Sequence, residues 1–408
     1  MNVSHTVKHS TLATGEFEHE LKHILAYWSD TVFDHANGRF HPKVDHTDTP
    51  HPQAITGSVM YARILWAFSA GYSHTAIPRY RELADIAFQY IRQYLLDPEY
   101  GGVYWSVHPD GSPADSRKQT YAIAFAIYGL AEYYKVHADH AVLALAQELY
   151  LAIEQHGWDS RHGGYIEAFE RDWRATTQLQ LSAKDQNEKK TLNTHLHLLE
   201  AYTNLYNVWP NETLKQQIDA ILGLFKNYFV SPHGHLTLFF DEQWHAKSLL
   251  RSFGHEIETS WLLCEASQVT NDGLLADSVR DLSLRLANAS LKWAGKSGAL
   301  PYEFDATTNG LVAEKHWWVQ AEALVGFYRA GRLSGDSRYT AAANRTWQYI
   351  TENLIDRERG EWYWGRDEQG RIMDHEDKAG FWKCPYHNTR CCLQMIQLLG
   401  ESPTNHES

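Results

Sequence analysis

The sequence predicts an all-α (α/α)6-barrel, a closed ring of six helix pairs with short β-hairpins at one rim. Three observations carry that prediction. Glycine-centred segments with aromatic or β-forming neighbours recur six times, as in DPEYGGVYWSVHPDG, WDSRHGGYIEAFERD and DRERGEWYWGRDEQG. Measured at Gly38, Gly102, Gly164, Gly234, Gly298 and Gly360, they are spaced by 64, 62, 70, 64 and 62 residues, a period that marks stacked supersecondary units. Between them apolar residues fall at helical spacing, as in Tyr121, Phe125, Tyr128, Ala131 and Tyr134, over intervals long enough for two helices. Half a pair stands at each terminus, as a toroid requires, whereas an open solenoid would need two polar capping repeats.

In chain order the helices begin with one over about Glu16 to Phe33. Five pairs follow: Ile55 to Tyr72 with Arg79 to Leu96, Gln119 to Val136 with Val142 to Gln155, Thr194 to Trp209 with Thr213 to Phe229, His255 to Gln268 with Asp277 to Trp293, and Trp317 to Ala330 with Ser337 to Leu354. A last helix, about Asn388 to Leu399, is expected to pair with the first and close the ring. The first helix of each pair mixes small and aromatic residues with His, Arg and Glu and is placed inside. The second carries the cleaner amphipathic stripe, as in RYRELADIAFQYIRQYLL, and is placed outside. Trp173 to Lys190, the longest polar interruption, and His46 to Pro52 are candidate rim or lid loops. No linker divides the chain, so residues 1–408 read as a single catalytic barrel.

Composition narrows the function. The 408 residues carry 37 Lys and Arg against 50 Asp and Glu, a net charge of −13 with no basic run, so nucleic acid and anionic membranes are not expected partners. No segment approaches the roughly 18 apolar residues of a membrane span, and the first residues lack the apolar core of a leader, which points to the cytoplasm. Cys264, Cys384, Cys391 and Cys392 form no CxxC pair and read as reduced thiols. The expected partner is a small molecule, bound by a monomer or weak homodimer.

Polar residues stand near the starts of the inner helices at Arg63, Tyr121, His197, His255 with Glu258, Glu322 and His387, at steps that follow the repeat, so they converge at one end of the barrel axis. His255 and Glu258 in GHEIETSW share a helical face, with Trp261 beyond them. His195 and His197 lie about 200° apart around a helix, so only one can face the site. His197, on the side of Asn193, Glu200 and Asn204, is the inward candidate. Trp66, Trp105, Trp317, Trp318 and Trp382 bring flat apolar faces to the same end, and Trp318 and Trp382, beside polar residues, are the expected sugar-stacking pair.

A catalytic metal is not expected. HELKH, His19 to His23, matches HExxH in form but falls on the outer amino-terminal helix as a solvated charged face without a third ligand, and nothing completes a set around Cys384 and His387. A Walker-type phosphate loop, a GxGxxG after a strand and a GxSxG elbow are all missing. What remains is an aromatic-lined, sugar-sized pocket with several histidines, an arginine and carboxylates. Two histidines flanking a substrate can take a proton from one face of a carbon and return it on the other near neutral pH, the logic of a racemase or epimerase.

FGHEIETSWLL, NTHLHLLEAYTNLY, HWWVQAEALVGF and FWKCPYHNTR resemble the N-acylglucosamine 2-epimerase superfamily, most closely its cellobiose 2-epimerases, from about Leu21 to Leu399. The resemblance implies an (α/α)6-barrel and, without metal or redox cofactor, reversible epimerisation at C2 of the reducing-end glucose of β-1,4-linked disaccharides such as cellobiose and lactose. It implies His255 and His387 as the acid/base pair working through an enediol, His197 and Arg63 polarising the ring, C1 and C2 oxygens, and Glu258 orienting His255. Tyr121, Asp185, Asn193, Trp318, Glu322 and Trp382 would hold the sugar. Relatives that act on N-acylglucosamine or isomerise mannose share such a histidine pair, so the histidines define proton chemistry at C2 and not the sugar. The wording WKCPYHN and WWVQAEALVGF favours the disaccharide. The rivals of another class are an inverting (α/α)6 glycoside hydrolase, with Glu258, Glu322 and Asp185 as its candidate carboxylates, and a non-catalytic sugar-binding barrel.

Overall fold

The computed structural model describes residues 12–270 and 273–401, so the first part of the stretch read above for a leader lies outside the described residues. Twelve α-helices run through the described part: α1 (Thr14–Tyr27), α2 (Ser58–Thr75), α3 (Pro78–Tyr90), α4 (Thr120–His137), α5 (His140–His156), α6 (Leu192–Val208), α7 (Glu212–Leu224), α8 (Phe253–Thr270), α9 (Gly273–Leu291), α10 (Trp317–Ser334), α11 (Ser337–Asn353) and α12 (Tyr386–Gly400). The even-numbered helices pack against one another in sequence, and α12 returns to α2, which closes an inner ring. The odd-numbered helices lie outside it, each against its partner, with α1 on α12. The ring is the (α/α)6-barrel that the repeat requires.

Burial explains which helix goes inside. In α4 every residue from Thr120 to Ala131 is buried, so it must be covered on all sides. In α11 the buried residues are Tyr339, Ala342, Ala343, Thr346, Trp347 and Ile350, a single stripe at helical spacing. The observed α2 starts three residues after the expected Ile55, because Thr56–Gly57 are paired as a strand with Ser106–Val107. The first helix is shorter than its apolar pattern, since Trp28–Val32 continue it as a π-helical turn.

Inner-to-outer turns are short and end the inner helix on a left-handed residue, as at Ala76, Ala138 and Gly335. The outer-to-inner connections are long and collect at the other end, the rim. Four of them open with the same turn, DHANG, DPEYG, DSRHG and DRERG. In each, the glycine N–H donates to the carbonyl of the leading Asp at 2.8–3.0 Å. The Asp Oδ1 accepts the following backbone N–H groups. The closing glycines Gly38, Gly101, Gly163 and Gly360 all have φ between +65° and +91°, which is why the position repeats as glycine.

The rim strands join one repeat to the next. Thr56–Gly57, Lys118–Gln119, Lys190–Thr191, Leu250–Ser252 and Lys315–His316 each stand directly before an inner helix. They pair with Ser106–Val107, Ala168–Phe169, Phe239–Phe240, Glu303–Asp305 and Gly365–Arg366 of the following connection. A bridge from Val44 to Ala379 links the last connection to the first. Local hairpins such as Phe33–Asp34 with Arg39–Phe40 are present as expected, but the period alone does not reveal this second, backbone-bonded ring.

Buried ion pairs tie these turns down. Lys118, Lys190 and Lys378 each place Nζ 2.7 Å from an Oδ2 of Asp97, Asp159 and Asp356, the leading residues of three of the turns. Lys190 Nζ also donates to the Gly163 and Glu242 carbonyls. Removing one partner of a buried pair leaves a charge without compensation. Lys190→Met is therefore expected to lower stability by about 3–5 kcal/mol, read as a lower urea midpoint at unchanged slope, and an unchanged midpoint would refute the role given to the pair.

Candidate active site

One position of the inner helices is used repeatedly. Arg63, His197, Glu258 and Glu322 are each the sixth residue of α2, α6, α8 and α10, while Tyr121 and His387 are the second residues of α4 and α12 and His255 the third of α8. Equivalent positions in a ring lie at equal depth, so these side chains meet just inside the rim. They surround a cavity of about 520 Å³, within the range of small-molecule sites. Ten of the eleven residues singled out above line it, and Glu322 does not.

The two candidate proton carriers both pack against Trp318, with ring centroids 5.0 Å from it for His255 and 5.6 Å for His387. His255 Nδ1 lies 2.8 Å from Ser252 Oγ, one turn earlier on the rim strand. His387 Nδ1 lies 2.8 Å from Glu322 Oε1. With Nδ1 engaged, Nε2 is the nitrogen free for the cavity in each ring. Burial lowers the basicity of both: His255 falls to about 3, with His197 adding to the effect, and His387 falls well below the ordinary imidazole value, helped by Arg63 and Arg390. Opposite them, Arg63 donates to Tyr121 Oη at 2.7 Å and lies over the Phe125 ring at 4.2 Å.

A layer of carboxylates supports the histidines. His197 Nδ1 is 2.9 Å from Glu200 Oε2, and the Tyr386 hydroxyl donates to Glu200 at 2.6 Å. Arg390 reaches Glu258 and Glu322 with Nη2 at 2.5 and 2.7 Å, and Glu200 with Nη1. Burial raises Glu258 to about 7, with Glu322 adding to the rise. Burial would also raise Glu200, but Arg390 and His197 hold it at about 2.

Two roles implied by resemblance shift accordingly. Glu322, expected on the sugar, sits behind His387 and takes a Trp261 indole hydrogen bond at 3.1 Å as well. Glu258, expected behind His255, is bonded to Arg390 and lies 4.0 Å from His387 Nδ1, while Ser252 serves His255. Glu258 Oε2 and Asn193 Oδ1 are buried without a hydrogen-bond partner among the lining groups, so both are open to a ligand hydroxyl. Asp185 lines the cavity from the Trp173-to-Lys190 segment, where Ser182 Oγ donates to it at 2.6 Å. Residues 180–186 of that segment form one wall.

Other expectations fall away from the site. His195 is structural: its Nδ1 lies 2.7 Å from the Thr191 carbonyl, and its Nε2 accepts from the Tyr165 N–H at 2.9 Å. Trp66 stacks on Tyr128, and Trp105 packs on Phe381 and Trp382, both outside the cavity lining. The His46-to-Pro52 loop folds on Asp45 and does not reach the cavity. HELKH does lie on outer α1, where His19 and Lys22 are exposed as expected, but its Glu20 is buried and accepts the Trp362 indole at 2.7 Å.

Sequence reasoning passed over Ser252, Glu167, Glu303, Tyr386 and Arg390. Arg390 had a signal, being three residues after His387 on one helix. Glu167 and Glu303 lie in rim connections, where no helical spacing points inward. Burial raises them to about 8 and about 7, with Asp185 contributing to both, and both line the cavity.

Two residue groups among the described ones have the make-up of a cation site, and a protein cation already sits in each. Glu258, Glu322 and His387 bring ligand atoms within 4.8 Å of one another, and Arg390 Nη2 bonds both carboxylates. Asp159, His162 and Glu242 do the same on the rim, where the Lys190 ammonium bonds Asp159 and the Glu242 carbonyl.

Comparison with known proteins agrees with this fold. The sequence pattern of the N-acylglucosamine 2-epimerase (GlcNAc 2-epimerase) family matches residues 38–391. A cellobiose 2-epimerase of Bacteroides fragilis is 42% identical over 379 residues, 93% of this chain and 96% of the relative. One of Ruminococcus albus is 37% identical over 92% of this chain and 95% of its own length. The solved structure of cellobiose 2-epimerase from Bacillus thermoamylovorans superposes with a TM-score of 0.89 at 38% identity, covering 94% of this chain and 98% of that one. The chain belongs to the N-acylglucosamine 2-epimerase family, and it is a carbohydrate epimerase.

Proposed function

We propose that the protein reversibly epimerises C2 of the reducing-end glucose of β-1,4-linked disaccharides, turning cellobiose into glucosyl-mannose and lactose into epilactose. The observation that carries this reading is the placement of two weakly basic histidines, His255 half-buried and His387 buried, both against the Trp318 ring in one cavity. The names of the similar proteins supply the disaccharide, and the aromatic walls at Trp318 and Trp382 suit stacked sugar rings.

In the proposed reaction, Arg63 and His197 assist opening of the reducing-end ring, which yields a C1 aldehyde. One imidazole then takes the C2 hydrogen as a proton. The C–H electron pair becomes the C1–C2 double bond, and the C1 oxygen takes up the charge, beside the Arg63 guanidinium. The other imidazole delivers a proton to the opposite face of C2, the aldehyde reforms, and C2 is inverted. The first imidazole ends protonated and the second neutral, which is the starting state of the reverse reaction. Burial lowers the basicity of both imidazoles, so the accepting one starts unprotonated. The donating one takes a proton from solvent before the transfer and enters the step as an imidazolium, and the enediolate charge favours that protonated partner once the reaction begins.

Incubation with cellobiose in deuterated water without added metal, followed by NMR, is expected to give glucosyl-mannose with deuterium at C2. Free glucose in place of the epimer would move the assignment to hydrolysis, and inertness towards cellobiose with turnover of mannose or N-acylglucosamine would move the substrate.

The single variants His255→Asn and His387→Asn are each expected to slow epimerisation on the order of 1000-fold. One of them should still exchange the C2 hydrogen of cellobiose for deuterium without inversion, and the other should do so with glucosyl-mannose. Retention of full epimerisation by either variant sinks the two-base scheme.

A further inference from the structure

Beneath the histidines the barrel axis is closed by a guanidinium that no sugar-binding role explains. We propose that Arg390 is a positioning residue for both histidines, holding the carboxylates behind His197 and His387 ionised and in register, an inference that rests on the epimerase reading above. Its side chain is 3% exposed and is held between the Trp261 and Tyr386 rings, at 4.7 and 4.4 Å. Nη1 donates to Glu200 of α6 and Nη2 to Glu258 of α8 and Glu322 of α10. Glu200 in turn receives His197 Nδ1, and Glu322 receives His387 Nδ1. A planar fork can span carboxylates on opposite sides, and a point-like ammonium cannot.

The consequence is a choice of tautomer. While Glu322 is an anion it accepts the Nδ1 proton of His387, and Nε2 is left as a base towards the cavity. Without a cation beneath them, Glu258, already raised to about 7, is neutral, and Glu322 loses the guanidinium that favours its anion next to His387. The His387–Glu322 pair then takes up a proton in one of two ways. Either His387 becomes an imidazolium, or Glu322 becomes an acid that donates to Nδ1 and leaves the proton on Nε2. Both forms lack the base, so the base is recovered only at higher pH. The titratable and charged groups around His387 are Arg63 from α2, Tyr121 from α4, His197 and Glu200 from α6, His255 and Glu258 from α8, Glu322 from α10, and Tyr386 and Arg390 on its own helix. Arg63 and His255 make no bond to Arg390, so a shift reports on Arg390 and on the carboxylates and imidazoles it positions.

The test compares wild type, Arg390→Lys and Arg390→Met with cellobiose over pH 5 to 9, with folding checked by circular dichroism. Arg390→Met is expected to lower kcat on the order of 100-fold or more while KM stays within about threefold. Its acid limb of kcat/KM should move up by about one pH unit or more. Arg390→Lys is expected to keep the wild-type acid limb and lose roughly tenfold in kcat. If Arg390→Met does not fold, the lysine variant decides: wild-type kcat in it overturns the proposal. Losses confined to KM, or an acid limb unmoved in a folded Arg390→Met, overturn it as well. A wild type inert to cellobiose would defeat the substrate reading instead, and the same profiles with mannose or N-acylglucosamine would then judge Arg390.

Discussion

Charge without water is the constraint around which this barrel is arranged. Six inner helices leave an axial space that side chains must fill or line, and here its lower part holds three carboxylates, a guanidinium and the backs of two imidazoles, all nearly inaccessible. Ions in such a place persist only when each has a partner. The partners come from α6, α8, α10 and α12, so the network is satisfied only when four repeats stand in the right rotation and height. A demand of local electrostatics thereby becomes a demand on the register of the whole ring. The same demand leaves the upper end of the axis open, with Nε2 of His255 and His387 as its unclaimed nitrogens.

The rim meets a related demand by different means. Its connections carry many backbone groups into a partly buried setting, where each must be bonded. Pairing the strand before one inner helix with the next connection satisfies these groups and also links neighbouring repeats. The Asp-to-Gly turns and the lysines beneath them fix where each strand begins. Lys118 and Lys190 directly precede α4 and α6 within their strands, so an ion pair that anchors a turn also sets the start of a helix that carries a site residue.

Most of the fold was legible because it is periodic. A repeated glycine and a helical stripe are signals that survive without any knowledge of contacts, and they were enough for twelve helices and a closed ring. The site was legible to the extent that it shares the period: Arg63, His197, Glu258 and Glu322 occupy one helix position, and His387 and Tyr121 another. What escaped was the difference between facing the cavity and facing another side chain. Glu322 has the same place in its helix as His197, yet it turns to His387, because α12 sets an imidazole and a guanidinium beside it. Glu167 and Glu303 escaped because connections have no period, and Ser252 because a single hydroxyl on a two-sided strand carries no pattern. Contacts between repeats are long-range facts, and residue spacing within one repeat does not contain them.

The two histidines differ in a way that bears on the direction of the reaction. His387 rests on an anion, whose attraction for an imidazolium grows as the proton arrives, whereas His255 rests on a hydroxyl that offers no net charge. On the proposed scheme Glu322 makes His387 a better resting place for a proton than a hydroxyl partner would, against the opposing charge of Arg63 and Arg390. Each serves once as base and once as acid in a full reversible cycle, so the inequality helps one half-reaction in each direction and hinders the other. A catalyst cannot move the equilibrium between the gluco and manno forms, which belongs to the sugars. The unequal partners therefore act on which proton transfer limits each direction, and Arg390, by fixing the charge on Glu322, sets how unequal they are.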